Sequence, residues 1–276
     1  MDRIVSVSTM AFDGYSLETA LEEMAGLGVK YVEPASVDKV FQHLMEEDFC
    51  DRRAAWLRNQ LSARGLGCIS LSAHMDLTQS GSAQRFRRRL EFARAIGARY
   101  VNTIAGPSGN LSGFRVNIPM IARCAEDLGL LVALENHGDL LDGGEQIVDF
   151  IREIGNPAVR VNYDTGNAWY YAKGSVNPVE ELAEVAPVVA HVHLKTPQVS
   201  EGMLRWVALG EGTLDIHALG RVLKERLPDV PVSYELSPRQ RSRDFEPRWR
   251  TPEVPPLVEI RSVIHRSLEA LGCVLA

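Results

Sequence analysis

Short β-branched runs alternate with amphipathic stretches along the whole chain, and this alternation limits the fold more than any other feature. Eight runs read as strands: IVSVST (4–9), YVEPA (31–35), CISLSAH (68–74), YVNTIAG (100–106), LVALENH (131–137), VRVNYDT (159–165), VVAHVHLK (188–195) and VPVSYEL (230–236). Between them apolar residues recur at helical spacing, as in SLETALEEMAGLG (16–28), FCDRRAAWLRNQLSARG (49–65), SAQRFRRRLEFARAIG (82–97), GEQIVDFIREIG (144–155) and TLDIHALGRVLKERL (213–227). A last helix, PPLVEIRSVIHRSLEALG (255–272), completes an eighth unit. Several of these stretches end in glycine, which takes up the left-handed conformation that closes a helix. Eight β-then-α units in about 250 residues match the count and size of a (β/α)8 TIM barrel, an α/β fold. A doubly wound sheet usually has fewer strands and a glycine fingerprint after the first, and no GxGxxG follows IVSVST. No proline- or serine-rich linker divides the chain, so residues 1–276 are expected to form one domain. The main irregular stretch, SPRQRSRDFEPRWRTPEVPP (237–256), fits either a loop over the barrel mouth or a contact with another subunit.

The apolar share of 45% and charged share of 24% are ordinary for a soluble globular chain with a large core. A net charge of −6 repels a phosphate backbone, which disfavours nucleic acid as a partner. Cys50, Cys68, Cys124 and Cys273 are scattered and form no CxxC pair, which argues against a zinc knuckle or a disulfide framework. With no apolar run near the ~18 residues of a membrane span and no secretory leader pattern, a cytoplasmic protein without a membrane partner is expected.

Catalytic groups of such a barrel belong at the C-terminal ends of its strands. Six of the eight ends carry an ionisable side chain: Glu33, His74, Glu135, Asp164, His193 and Glu235. Isolated buried carboxylates are strongly penalised, so several meeting at one point imply shared protons, cationic partners or a metal. Glu135, Asp164, His193 and Glu235 come from the fifth to eighth strands, consecutive neighbours round the ring. Three carboxylates and an imidazole suit a divalent ion such as Mn2+, Mg2+, Co2+ or Zn2+, and the oxygen majority favours the harder ions. Lys195, two residues beyond His193 on the same face, approaches the same carboxylate-rich pocket. Plainer roles stand beside these. Glu135 or Asp164 alone could cap the following helix, and His191, deeper than His193, reads as a hydrogen-bonded core histidine. His217 and His265 on helices and His43 in a loop read as structural or solvated. What favours a site is that all four ligand-type residues lie at the same end of their strands.

The segments ALENHG (133–138), NYDTGN (162–167), HVHLK (191–195), LGEG (209–212) and YEL (234–236), in that order, resemble the xylose isomerase-like TIM-barrel superfamily. This is the sugar phosphate isomerase/epimerase group, which includes ketose 3-epimerases, hydroxypyruvate isomerase, inosose dehydratase and AP endonucleases. The resemblance covers essentially the whole chain. It implies a single divalent metal, Mn2+ foremost, held by Glu135, Asp164, His193 and Glu235. It also implies that Glu135 and Glu235 serve as acid and base on opposite faces of a sugar. His74 and Lys195 are then expected to stabilise charge on substrate oxygens, and Glu33 and Asn167 to position hydroxyls. Two departures count against epimerisation of free ketohexoses: Asn167 replaces the histidine of a DxxH motif, and Leu141 replaces a second glutamate.

The expected activity is therefore isomerisation or epimerisation of a small keto-sugar or hydroxy-keto acid, by proton transfer through a metal-stabilised enediolate. The runner-up is a lyase on the same scaffold, expelling a β-hydroxyl as water with His74 or His137 as acid. A DNA-repair nuclease ranks third, because RWVALGEG (205–212) lacks the Asp-x-His that the endonucleases use. A metal-free sugar-binding barrel or an assembly role gives no physical reason for the quartet to converge. The expected partners are a small-molecule carbohydrate and a second copy of the chain. Gly138, Gly143 and Gly144 leave a phosphorylated substrate open.

Overall fold

The computed structural model describes residues 3–275. Its strands are β1 (Val5–Ser8), β2 (Tyr31–Glu33), β3 (Ala35–Val37), β4 (Phe41–Gln42), β5 (Ser70–His74), β6 (Tyr100–Thr103) and β7 (Leu131–Glu135). They continue with β8 (Val159–Asp164), β9 (Val189–Leu194), β10 (Thr196–Ser200), β11 (Met203–Val207), β12 (Val232–Tyr234), β13 (Gln240–Arg243) and β14 (Trp249–Arg250). A curled ten-stranded sheet runs in the order β2-β1-β12-β9-β8-β7-β6-β5-β3-β4, parallel except for the short β3–β4 hairpin.

β2 and β3, at or near its two ends, are one stretch of chain interrupted only by Pro34, which has no N–H to give a ladder. β2 pairs with β1 through Ser6↔Tyr31, and β3 pairs with β5 through Ala35↔Ser72. Pairing thus leaves residues 31–37 on one side and returns to them on the other, with the Ser72 N–H donating to the Pro34 carbonyl at the junction. All eight strand runs expected from the sequence form, but most stop short at their C-terminal ends. The run 100–106 is a strand only over Tyr100–Thr103, where its pairing with β7 ends at Thr103↔Leu134.

The period-two pattern of the strands explains their mixed composition. Val7, Val101, Val132, Val161, Val192 and Val232 are buried in the apolar core, where the helices pack. The alternate positions, among them Ser6, Ser72, Asn102, Asn162, His191 and Ser233, are just as buried but polar. The inside of the ring is therefore a hydrogen-bonded polar column, whose burial is tolerable only because most of its members find partners.

Helices α1 (Leu17–Gly26), α2 (Asp51–Ala63), α3 (Ser82–Ile96), α4 (Leu111–Leu128) and α5 (Gly144–Ile154) occupy the connections of the first half. In the second half lie α6 (Thr165–Tyr171), α7 (Pro178–Val185), α8 (Ile216–Arg226) and α9 (Leu257–Leu275). α3 ends at Gly97, whose φ of 91° lets its N–H return to the helix carbonyls. No helix among the described residues is long and apolar enough to cross a membrane.

A second sheet, antiparallel in the order β10-β11-β13-β14, is not foreshadowed by the spacing of the apolar runs. β10 and β11 form a hairpin that starts one residue after Lys195, and the arginine- and proline-rich segment 237–256 folds onto it. Arg239 and Arg250 both reach Asp13 behind β1 and tether that segment across the open end of the ring. Of the two readings left open for 237–256, the structure bears out a loop over the barrel mouth.

Candidate active site and metal centre

β7, β8 and β9, with the residue after β12, deliver Glu135, Asp164, His193 and Glu235 to one point. One ligand-type atom from each lies within 4.8 Å of those from the others, and all four residues are buried. His193 Nδ1 is 2.9 Å from Glu135 Oε2, 2.8 Å from Glu235 Oε2 and 4.0 Å from Asp164 Oδ2. His193 Nδ1 is buried without a hydrogen bond of good geometry among the described residues. Asp164 carries two roles at once. Its Oδ1 caps α6 by accepting from the Asn167 N–H at 2.8 Å, while Oδ2 stays with the quartet.

A polar shell orients these groups. His193 Nε2 meets Glu33 Oε1 at 2.8 Å, and Asn102 Nδ2 donates to Glu33 Oε2 at 2.9 Å. That contact fixes the imidazole with Nδ1 toward the carboxylates. Glu135 Oε2 accepts from Asn162 Nδ2 at 2.7 Å and from His74 Nε2 at 3.0 Å, and its Oε1 accepts from Asn167 Nδ2 at 2.9 Å. Ser72 Oγ holds the far nitrogen of His74 at 2.9 Å. Lys195 Nζ lies 2.8 Å from Asp164 Oδ2 and 3.3 Å from Glu235 Oε1. Its stem crosses Gly166, where an added Cβ would fall 3.0 Å from Lys195 Cγ and 2.7 Å from the Trp206 ring. A glycine in DTGN thus makes room for the lysine.

Burial pushes the Glu135 carboxyl up, but the imidazoles of His74 and His193 hold it well below the usual carboxylate range. Glu235 is likewise held far down against burial, by Lys195 and then His193. Burial raises Asp164 to about 6, with the nearby Glu235 and Glu135 adding to the rise against the pull of Lys195. His193 is raised well above its ordinary value: burial opposes its charge, and Glu33, Glu135 and Glu235 overcome that. His191 is pulled down to about 4 by burial and is held through Nδ1 at 2.9 Å from Asn162 Oδ1, as expected of a core histidine.

Above the quartet opens a cavity of about 660 Å³. Its wall includes Glu135, Glu235, His74, Asn167 and Lys195, all named from the sequence. Glu33, expected to position substrate hydroxyls, is not on that wall. It lies fully buried beneath His193, because β2 delivers it to the polar column and not to the mouth. Other wall residues were not singled out for substrate: Arg248 and Phe245 from the loop, and Tyr170 and Tyr171 from α6. Arg248 donates to Asn167 Oδ1 at 3.3 Å, to His137 Nε2 at 3.2 Å and to the Tyr171 hydroxyl. Asn102 and Asn162 were also missed, although each is an amide in the middle of a β-branched run, a visible signal of an inward polar position.

The sequence model of the xylose isomerase-like TIM barrel family matches residues 21–252. The chain belongs to that family. No curated protein matches it. Among solved structures, this xylose isomerase-like TIM barrel is similar to a D-psicose 3-epimerase determined in the presence of D-fructose, with 17% identity, a TM-score of 0.75 and coverage of 100% of this chain and 99% of that one. It is also similar to a probable 3-DHS dehydratase, AsbF, from Bacillus anthracis, with 15% identity, a TM-score of 0.71 and 98% of each chain covered. A third is a xylose isomerase-like TIM barrel protein from Mycobacterium smegmatis in complex with magnesium, with 17% identity, a TM-score of 0.72 and coverage of 100% of this chain and 98% of that one. At these identities the likeness establishes the shared fold.

Proposed function

We propose that this chain is a single-domain, divalent-metal-dependent isomerase or epimerase of a small keto-sugar or hydroxy-keto acid. The observation that carries this reading is the buried convergence of Glu135, Asp164, His193 and Glu235 at the floor of an open cavity. Among the described residues His193 Nδ1 has no hydrogen bond of good geometry although Glu135 and Glu235 oxygens lie 2.9 and 2.8 Å from it, and Asp164 Oδ2 is met by Lys195 Nζ at 2.8 Å. A cation among them would use the Nδ1 lone pair and offset the crowded carboxylates, and three carboxylates with one imidazole fit Mn2+, Mg2+, Co2+ or Zn2+. When bound, such an ion polarises a substrate carbonyl and its neighbouring hydroxyl and so acidifies the adjacent C–H.

The chain's own residues supply the proton chemistry. Glu135 and Glu235 reach the cavity from different strands, and both are held ionised by the cations and imidazoles beside them. One removes the proton from carbon; return of a proton from the opposite side gives the epimer, and return to the adjacent carbon gives the isomer. His74 and Asn167 each donate to Glu135 and fix its orientation, while Lys195 places a positive charge against the oxygens where negative charge grows. The similar D-psicose epimerase supports this reading at the level of scaffold. Glu135→Gln and Glu235→Gln should each abolish deuterium incorporation from solvent into substrate carbon across a panel of keto-sugars and keto-acids. Normal exchange in either variant removes that residue from the acid–base role.

A lyase is favoured by a different observation. His137, lowered to about 3 by burial and Arg248, sits on the cavity wall 3.1 Å from the Tyr171 hydroxyl. His137 is therefore neutral near pH 7, and the proton donor of the pair is the Tyr171 hydroxyl, which burial raises to about 12 and which would protonate a departing hydroxyl. Loss of water in the product mass distinguishes this outcome from isomerisation.

A further inference from the structure

The charges on the cavity wall do not balance. Two of its residues are carboxylates, Glu135 and Glu235, and both belong to the quartet. Five are cations: Lys39, Lys173, Lys195, Arg248 and Arg250. Lys195 is matched by Asp164 and Glu235, and Arg250 by Asp13. Among the described residues, Arg248, Lys39 and Lys173 have no carboxylate within the 4.0 Å of an ion pair.

Arg248 is the most constrained of the three. Its guanidinium stacks near the rings of Tyr170 and Tyr171, at 4.9 and 5.2 Å from their centroids. All its hydrogen-bond acceptors are neutral: Asn167 Oδ1, His137 Nε2 and the Tyr171 hydroxyl. An arginine oriented by neutral groups keeps its full charge for a ligand, and its fork matches carboxylate or phosphate oxygens. Lys39 and Lys173 flank the opening, and both occupy left-handed backbone positions, with φ of 65° and 52°. Such positions usually fall to glycine or asparagine. Asn167 bridges Arg248 to Glu135, donating to Glu135 Oε1 at 2.9 Å while accepting from Arg248. One amide side chain therefore separates the unmatched guanidinium from the quartet, a span suited to a molecule of a few carbons.

We propose that the substrate carries a terminal anionic group, a carboxylate or a phosphate, bound by Arg248 with Lys39 and Lys173 at the rim, while its reacting end lies over the quartet. The assignment of the reacting end rests on the enzymatic reading above; the anion site does not. This would make Arg248 the residue that selects charged over neutral substrates.

Calorimetric titration tests the site with glycerol phosphate, glycerate and, as the uncharged analogue, glycerol, on full-length protein both as purified and after chelator treatment. At least one anion should bind in both preparations and glycerol should not. Preference for glycerol phosphate assigns a phosphorylated substrate, and preference for glycerate a hydroxy acid. Charge-assisted hydrogen bonds of this kind predict that Arg248→Gln weakens anion binding by roughly tenfold to a hundredfold. Lys173→Gln, an exposed change that leaves packing untouched, should weaken it by a few-fold, and Arg243→Gln, outside the cavity, should leave it unchanged. Failure of both anions to bind, equal binding of glycerol, or affinity within about twofold in Arg248→Gln would overturn the proposal. Metal dependence is read separately, as deuterium exchange into the keto-sugar and keto-acid panel before and after chelator treatment: anion binding with exchange unchanged by metal removal would keep this inference and remove the metal-dependent one.

Discussion

Glu33→Gln separates an orienting role from simple burial. In the native protein the two carboxylate oxygens serve two donors, His193 Nε2 at 2.8 Å and Asn102 Nδ2 at 2.9 Å, and neither Glu33 nor His193 is exposed. A glutamine keeps the shape but has one acceptor oxygen, so it can satisfy only one of these donors. Its amide N–H would instead donate to His193 Nε2 and favour the imidazole form that carries its proton on Nδ1. That is the nitrogen that must offer a lone pair to an ion. Restoring the required form leaves a buried donor unpaired, which costs about 1–3 kcal/mol, or roughly 5- to 150-fold in affinity. Loss of an outer partner of a metal-binding histidine typically weakens metal binding by about 10–100-fold, which agrees. Calorimetric titration of Mn2+ into chelator-treated wild type and variant near neutral pH measures it, with circular dichroism to show that both are folded. Affinity within about twofold of wild type would refute the reasoning, since Glu33 would then be a spectator under the site.

Three further outcomes follow from other parts of the molecule. Gly166→Ala should lower turnover by about tenfold or more and destabilise by about 1–3 kcal/mol, because the new methyl meets Trp206 and the Lys195 stem; kinetics and a denaturant titration check both. Arg89, fully buried, bonds Asp38 at 2.7 Å, Glu46 at 3.0 Å and the Ala73 and His74 carbonyls at the end of β5. Arg89→Met should cost about 2–3 kcal/mol, less than a fully enclosed pair because the two carboxylates are partly solvated, and unchanged stability in urea would contradict this. Asp139 is raised from an ordinary 3.8 to about 7, first by burial and then by Asp142 and Glu135, against the Leu141 and Gly106 N–H groups. The folded protein therefore binds this proton more tightly than the open chain. Its contribution to stability is fully present below about pH 4 and is lost as pH rises through about 7. Asp139→Asn should flatten that part of the stability profile, and an unaltered slope would show that another group is responsible.

The barrel strands were legible because each reports its own burial: a β-branched run between turn residues is local information. The quartet was legible for a related reason, since a polar residue ending such a run has few ways to be tolerated inside. The assignment of Glu33 was less accurate. Position at a strand end places a side chain inside the ring but does not tell how deep, and Pro34 divides that strand so that Glu33 falls under His193. Arg248 could not be placed, because its position depends on the β10–β11 hairpin and on the distant Asp13, contacts made across more than 200 residues of sequence. Long-range pairing of an irregular, arginine-rich segment leaves no periodic trace.

The most direct measurement is a crystal structure of the protein grown with Mn2+, with anomalous scattering recorded at the metal edge. The account predicts one anomalous peak within coordination distance of Glu135, Asp164, His193 Nδ1 and Glu235. A peak elsewhere, or none with the four side chains arranged as here, would contradict it.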